Sequence, residues 1–73
     1  MKINLSKVSN GELVNLLGNR NCIKLNEELE IMVTGWSIDI TNGNRSIVRG
    51  RKNVIKYLKE NNLEIIIEMK EGK

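Results

Sequence analysis

Apolar residues recur at helical spacing in the segment from Leu13 to Leu17, near the start of the chain. Ser9 stands ahead of this segment with Glu12 three residues after it, an arrangement in which each side chain accepts a hydrogen bond from the other residue's backbone amide. Gly18 supplies the residue type that most readily adopts the left-handed conformation found at helix C-termini. The pattern therefore predicts a short first helix between Ser9 and Gly18.

Beyond residue 21 the apolar positions change to a period of two, which predicts β-strands. We expect two-residue turns at Thr34-Gly35 and Asn42-Gly43, and a three-residue loop at residues 26–28. These connections predict the cross-strand pairs Val33 with Trp36, Ile31 with Ile38, Leu29 with Ile40, Ile38 with Ile47 and Trp36 with Arg49, with Ile23 and Leu25 on the same face. The resulting aliphatic face needs a helix or a second subunit to cover it.

A second helix is predicted to start at Arg51 or Asn53 and to end near Asn61. Its buried side carries Val54, Ile55 and Leu58. A final strand follows, because apolar and acidic residues alternate from residue 63 to residue 69. This alternation places Leu63, Ile65, Ile67 and Met69 on one face and Glu64, Ile66 and Glu68 on the other.

These elements predict an α+β protein, with residues 1–73 forming a single compact domain. The expected architecture is an antiparallel β-meander of three to five strands with two short helices, in the order α-β-β-β-β-α-β. Alternation at residues 3–5 also predicts a brief strand ahead of the first helix. A domain of this length buries only roughly 60% of the surface of its unfolded chain, so a homodimer is one way to add buried surface.

The composition indicates the cellular environment of the protein and excludes two kinds of stabilising bond. The chain has one cysteine, Cys22, and no histidine, so an internal disulfide and the commonest zinc ligand are both excluded. Cys22 is expected to be a small buried residue in a reducing, cytoplasmic environment. No apolar run approaches the about 20 residues that a membrane span requires, and we expect no membrane association.

Positive charge is concentrated in residues 40–59, a window that contains six basic side chains and no acidic one. They are Arg45, Arg49, Arg51, Lys52, Lys56 and Lys59. The formal net charge of +3 is therefore a local excess of six diluted by the rest of the chain, which has 6 basic and 9 acidic residues. Such a cluster favours an anionic partner, either nucleic acid or an acidic protein surface.

Spacing places Lys52, Lys56 and Lys59 on one stripe of the second helix. The start of that helix, with its free backbone amides and the forks of Arg49 and Arg51, is a candidate phosphate site. Alternatively, the lysines form a solvated helix face, with Arg51 and Lys52 in a loop before an N-cap at Asn53.

Trp36 has two interpretations. Its neighbours Ile38 and Ile40 favour a place in the core or at its edge, whereas stacking on a nucleic-acid base is the alternative. The predicted register also sets Glu30 opposite Asp39 on the outer face, a pair of carboxylates that could hold a divalent ion. We expect a solvated face there instead, with no metal.

The same register aligns Met32, Ser37 and Val48 on the outer face, near Ile66 of the last strand. This apolar row is a possible protein interface, a second packed layer, or scattered exposure without a role. The last strand also offers an edge to which another chain could add.

No nucleotide-binding or nucleophile motif occurs, and without histidine the usual nucleophile-base pairs cannot form. We expect no catalytic residue and no cofactor. The sequence thus favours a non-catalytic binding module that engages nucleic acid or another polyanion through its basic hairpin and helix. The alternative is a small inhibitor or adaptor that docks on a larger host protein, for example an anti-defence protein of a phage or mobile element.

Overall fold

The computed structural model describes residues 2–18 and 20–67. Its elements, in chain order, are β1 (Lys2–Ile3), α1 (Asn10–Leu17), β2 (Cys22–Lys24), β3 (Leu29–Val33), β4 (Ile38–Asn42), β5 (Arg45–Arg49), α2 (Arg51–Glu60) and β6 (Ile65–Ile66). Strands β2-β3-β4-β5 form an antiparallel sheet in that order, and β1 pairs with β6 in a second, two-stranded antiparallel sheet. The predicted α+β meander with two short helices is confirmed.

Helix α1 begins as the sequence predicts. The amide of Glu12 donates to Ser9 Oγ at 3.2 Å, and the amide of Ser9 donates to Glu12 Oε1 at 3.0 Å. These reciprocal bonds satisfy two backbone donors that the helix itself leaves unpaired. Gly18 ends the helix with a φ of 64°, and its amide donates to Val14 O at 3.0 Å. The capping box and the glycine stop are both confirmed.

The loop between β2 and β3 also follows the prediction. Asn26 Oδ1 accepts hydrogen bonds from the amides of Glu28 and Leu29, both at 2.8 Å, so the three-residue loop closes on its own side chain. Ile23 consequently pairs with Ile31 on the aliphatic face.

The connection between β3 and β4 differs from the prediction. Val33 pairs with Ile38 instead of Trp36, and Ile31 pairs with Ile40 instead of Ile38. The predicted two-residue turn is therefore wrong, because residues 34–37 form a four-residue loop. The new register moves each partner by two positions along β4. A shift of two keeps every side chain on its face, and the aliphatic face survives the error.

The hairpin between β4 and β5 differs as well. Its turn is Gly43-Asn44 rather than Asn42-Gly43, so Asn42 pairs with Arg45. A bulge further along the hairpin sets Val48 opposite Ile40 and leaves Ile47 44% exposed. The pairing of Ile38 with Ile47 is thus wrong. The shifted turn would by itself set Ile47 opposite Ile40, and the bulge then makes Ile47 the extra residue and reverses the faces of the residues beyond it.

The inner face of the four-stranded sheet carries the core. Helix α2 packs against β4 and β5, α1 packs against β3, and β6 lies beside β2. Among the residues that the structure describes, the buried ones are all aliphatic: Leu5, Leu13, Leu17, Ile23, Leu29, Ile31, Val33, Ile38, Ile40, Val54, Leu58, Ile65 and Ile67. Cys22, expected to be buried, is only half-buried and lies opposite Met32 on the outer face.

Helix α2 starts at Arg51, with Gly50 at the N-cap position and a φ of 94° there, so the alternative start at Asn53 is wrong. Its C-terminus is closed by Asn62, which has a φ of 54°, and by a hydrogen bond from the Leu63 amide to Leu58 O at 2.9 Å. The predicted end of the helix near Asn61 is therefore confirmed.

The final strand alternates as predicted over the residues that the structure describes. Ile65 and Ile67 are buried, whereas Ile66 is 54% exposed. The predictions for Glu68 and Met69 lie outside the described residues. Pairing of β6 with β1 confirms a brief strand near the start of the chain, at Lys2–Ile3. Neither described helix is long and apolar enough to cross a membrane.

Candidate functional site

Three exposed lysines follow one side of α2, turned away from the buried Val54 and Leu58. We call Lys52, Lys56 and Lys59 the lysine face. Among residues 2–18 and 20–67, the structure has a single ion pair, between Lys2 Nζ and Glu64 Oε2 at 3.1 Å. No described carboxylate therefore pairs with the lysine face, and its charge is available to a partner.

The two strand arginines lie on different faces of the sheet. Arg49 pairs with Asp39 and faces outward, whereas Arg45 pairs with Asn42 on the side that the helices cover. The sheet therefore separates Arg49 from the lysine face. The six cations that are clustered in the sequence therefore do not share one face, because the bulge in β5 turns its two ends in opposite directions.

Arg51 holds separate parts of the chain together. Its guanidinium donates to the carbonyl oxygens of Leu5 and Val8, the latter at 2.8 Å, and to the side-chain oxygen of Asn10. The side chain is half-buried at this position. Most of its hydrogen-bonding capacity is thus used within the protein, and Arg51 offers a ligand its charge more than its donors.

Trp36 lies in the loop of residues 34–37, which we call the Trp36 loop, and its side chain is 89% exposed. The predicted place in the core or at its edge is therefore wrong. The loop backbone is held by internal bonds: the Thr34 amide donates to Ser37 O at 2.9 Å, and the Ser37 amide donates to Thr34 Oγ1 at 3.0 Å. Asn10 Nδ2 adds bonds to Thr34 O and to Ser37 O, both at 2.9 Å.

A cleft of about 750 Å³ opens between the Trp36 loop, residues 5–10 and the start of α2. Lys7, Trp36 and Arg51 are among its lining residues, and none of the described lining residues is acidic. The first turn of α2, which adjoins this cleft, has neither a capping side chain nor an acidic residue. The cleft is consequently electropositive, with an exposed aromatic ring at one side.

Reasoning from the sequence missed Lys7 and Asn10. Asn10 forms hydrogen bonds with Thr34 and Ser37 of the Trp36 loop and with Arg51. These residues follow Asn10 in the chain by 24, 27 and 41 positions. No periodicity or motif marks such contacts. Only the proximity of Asn10 to the confirmed capping box hinted that this residue has a special position.

The predicted apolar row on the outer face does not form. Met32 is on that face and 39% exposed, but Ser37 lies in the Trp36 loop. Val48 faces the core, and Ile66 belongs to the two-stranded sheet. The row is wrong because it depended on the predicted register, which both hairpin connections alter.

The predicted pair of carboxylates is also absent. Glu30 lies opposite Thr41, and Asp39 lies opposite Met32. Within the described part of the chain, no group of three or more potential metal ligands is present. Lys24 and Arg49 are the cross-strand neighbours of the two acids, so the outer face mixes both signs of charge.

Comparison of the chain with protein-family models, with curated proteins and with solved structures finds no significant match.

Proposed function

We propose that this protein is a non-catalytic binding module that engages a polyanion, with nucleic acid as the first candidate. The observation that carries the proposal is the lysine face, whose three ammonium groups are exposed and have no described carboxylate partner. Clustered cations of this kind attract phosphates and release the counterions bound to them.

The spacing of the lysine face suits a phosphate backbone. Lys52 and Lys59 are separated by about 10 Å along the helix axis, at about 1.5 Å per residue. Phosphates of one strand recur about every 3.4 Å along a duplex axis, so the lysine face spans about three of them. Arg45 adds positive charge on the side of the sheet that the helices cover. Lys7 adds charge in the cleft beside the start of α2. Arg49 is directed to the other side and is not included.

Salt-dependent titration tests the proposal. Labelled single-stranded and duplex oligonucleotides would be titrated with the protein between 25 and 200 mM salt, roughly the range over which phosphate contacts weaken steeply. The variant Lys52→Gln with Lys56→Gln is expected to lose about tenfold in affinity and to make the salt slope shallower by roughly 1.4 for single strands and roughly 1.8 for duplex, because two phosphate contacts disappear.

The matched control is Lys24→Gln with Arg49→Gln, which removes the same charge from the outer face of the sheet. We expect it to change the affinity by less than about threefold, since only long-range attraction is reduced. Equal losses in the two double variants, or no binding by the wild-type protein at 25 mM salt, would contradict the proposal.

A second candidate function is docking on a larger host protein, as an inhibitor or adaptor. The observation in its favour is the outer face of the four-stranded sheet, which carries Met32 and has no described element packed over it. A partner that uses this face would be captured from nuclease-treated lysate by the wild-type protein and not by Met32→Glu. Light scattering of the wild-type protein and of Met32→Glu would show whether a homodimer forms and whether it depends on the same face.

A further inference from the structure

Trp36 is the only tryptophan of the chain, and the fold leaves its ring 89% exposed. The protein has only one other aromatic residue, Tyr57, so its core is built without the side chains that usually bury the most surface. A ring of this size in water is available for contact with a partner. Exposed tryptophans are among the residues that contribute most to recognition.

The hydrogen bonds of the Trp36 loop fix the backbone that carries the ring before any partner arrives. Four hydrogen bonds from Thr34, Ser37 and Asn10 secure the backbone on both sides of the tryptophan. Asn10 is secured in turn by Arg51. Because the loop is already ordered, binding at Trp36 does not have to pay for ordering the backbone.

The chemistry of the adjoining cleft restricts the ligand. Lys7 and Arg51 make it electropositive, and Ser6 adds a hydroxyl group, whereas the hydroxyls of Ser9 and Ser37 are bonded to Glu12 and Thr34. An apolar peptide segment in this cleft would displace water from the cations without supplying the hydrogen bonds that the water had made. A ligand with a planar ring beside a negative charge satisfies both features, and nucleotides repeat that combination along a strand.

Duplex nucleic acid does not fit the Trp36 loop, because its bases are paired and stacked inside the helix. Single strands expose the faces of their bases, and stacking on aromatic side chains is the common way in which proteins bind them. We infer that Trp36 stacks on an unpaired base while Lys7 and Arg51 attract the adjoining phosphate, so that the protein prefers single-stranded nucleic acid. This inference rests on the proposed function.

The intrinsic fluorescence of the protein tests the inference directly, since Trp36 is its only indole. Four probes would be titrated: a 12-residue oligothymidylate, a 12-residue abasic strand with the same phosphates, a 12-base-pair duplex and inorganic polyphosphate. We expect strong quenching by the oligothymidylate and little by the other three. Trp36→Ala should weaken oligothymidylate binding, measured by anisotropy of a labelled strand, by about 5- to 150-fold and leave duplex binding unchanged.

Trp36→Phe keeps an aromatic ring and should restore most of the lost affinity. Circular dichroism would verify that both variants are folded, which the exposure of the ring leads us to expect. Equal weakening of oligothymidylate and abasic binding by Trp36→Ala, or no weakening at all, would overturn the inference. So would a Trp36→Ala variant that binds every probe normally but no longer captures a protein partner.

The two proposals fail differently. If the lysine-face variant loses affinity while Trp36→Ala does not, the stacking inference is wrong and polyanion binding stands. If the wild-type protein binds none of the four probes at 25 mM salt, both are wrong.

Discussion

Replacement of Arg51 by methionine is expected to destabilise the protein by about 3 kcal/mol. The guanidinium donates three hydrogen bonds, to the carbonyl oxygens of Leu5 and Val8 and to the side chain of Asn10. Each contributes about 1 kcal/mol, below the range for charged donors because water reaches the half-buried site. A chain of this length has a total stability of about 4 to 11 kcal/mol, so the loss would be a large fraction of it.

Methionine keeps an unbranched apolar stem, so the substitution removes the hydrogen bonds more than the packing. Urea unfolding followed by far-ultraviolet circular dichroism would give the free energy of unfolding. Lys52→Met is the control, because Lys52 is exposed in the same helical turn. It should change the stability by less than about 0.5 kcal/mol. An Arg51→Met variant as stable as this control would refute the structural role of Arg51.

Two further predictions concern α1 and the core. The pKa of Glu12 is lowered because its carboxylate accepts a hydrogen bond from the backbone amide of Ser9, which has the larger effect, and a second one from the Ser9 hydroxyl. The stabilisation by the Glu12 carboxylate should be complete above its unfolded pKa of about 4.3 and should vanish as the pH falls through the lower folded pKa. Urea unfolding between pH 7 and pH 2 should therefore show the free energies of unfolding of wild type and Glu12→Gln converging in acid. A difference independent of pH would contradict this. Ile31→Ala should cost about 2–5 kcal/mol in the same assay, because Ile31 is fully buried. Ile66→Ala, at a half-exposed position, is its control, and equal losses would mean that the core is misplaced.

The hairpins show why part of the fold could not be predicted. A two-residue turn and a four-residue loop between β3 and β4 both keep Ile31 and Val33 on the aliphatic face, so the hydrophobic pattern does not distinguish them. In the structure, Thr34 and Ser37 close the four-residue loop, and Asn10 bonds to both of its ends from a distant part of the chain. For the same reason the exposure of Trp36 was missed, since its apolar neighbours suggested a strand.

The candidate site was predicted in part. Helical spacing alone places Lys52, Lys56 and Lys59 on one side of α2, and the structure keeps them together and exposed. The positions of Arg49 and Arg51 relative to these lysines depend on contacts with other parts of the chain. One bulge sends Arg49 to the outer face, and three oxygen acceptors from the N-terminal segment engage Arg51.

The amino-acid sequence by itself determined the local features of this protein: the capping box of α1, the asparagine loop before β3, the C-terminal end of α2 and its stripe of lysines. Each depends on residues only a few positions apart, whose geometry the backbone dictates. Tertiary structure alone decided the strand register, the exposure of Trp36 and the use of Arg51. The engagement of Arg51 and the bonds of Asn10 to the Trp36 loop link segments far apart in the chain, and the register depends on pairing between neighbouring strands that the hydrophobic pattern does not fix.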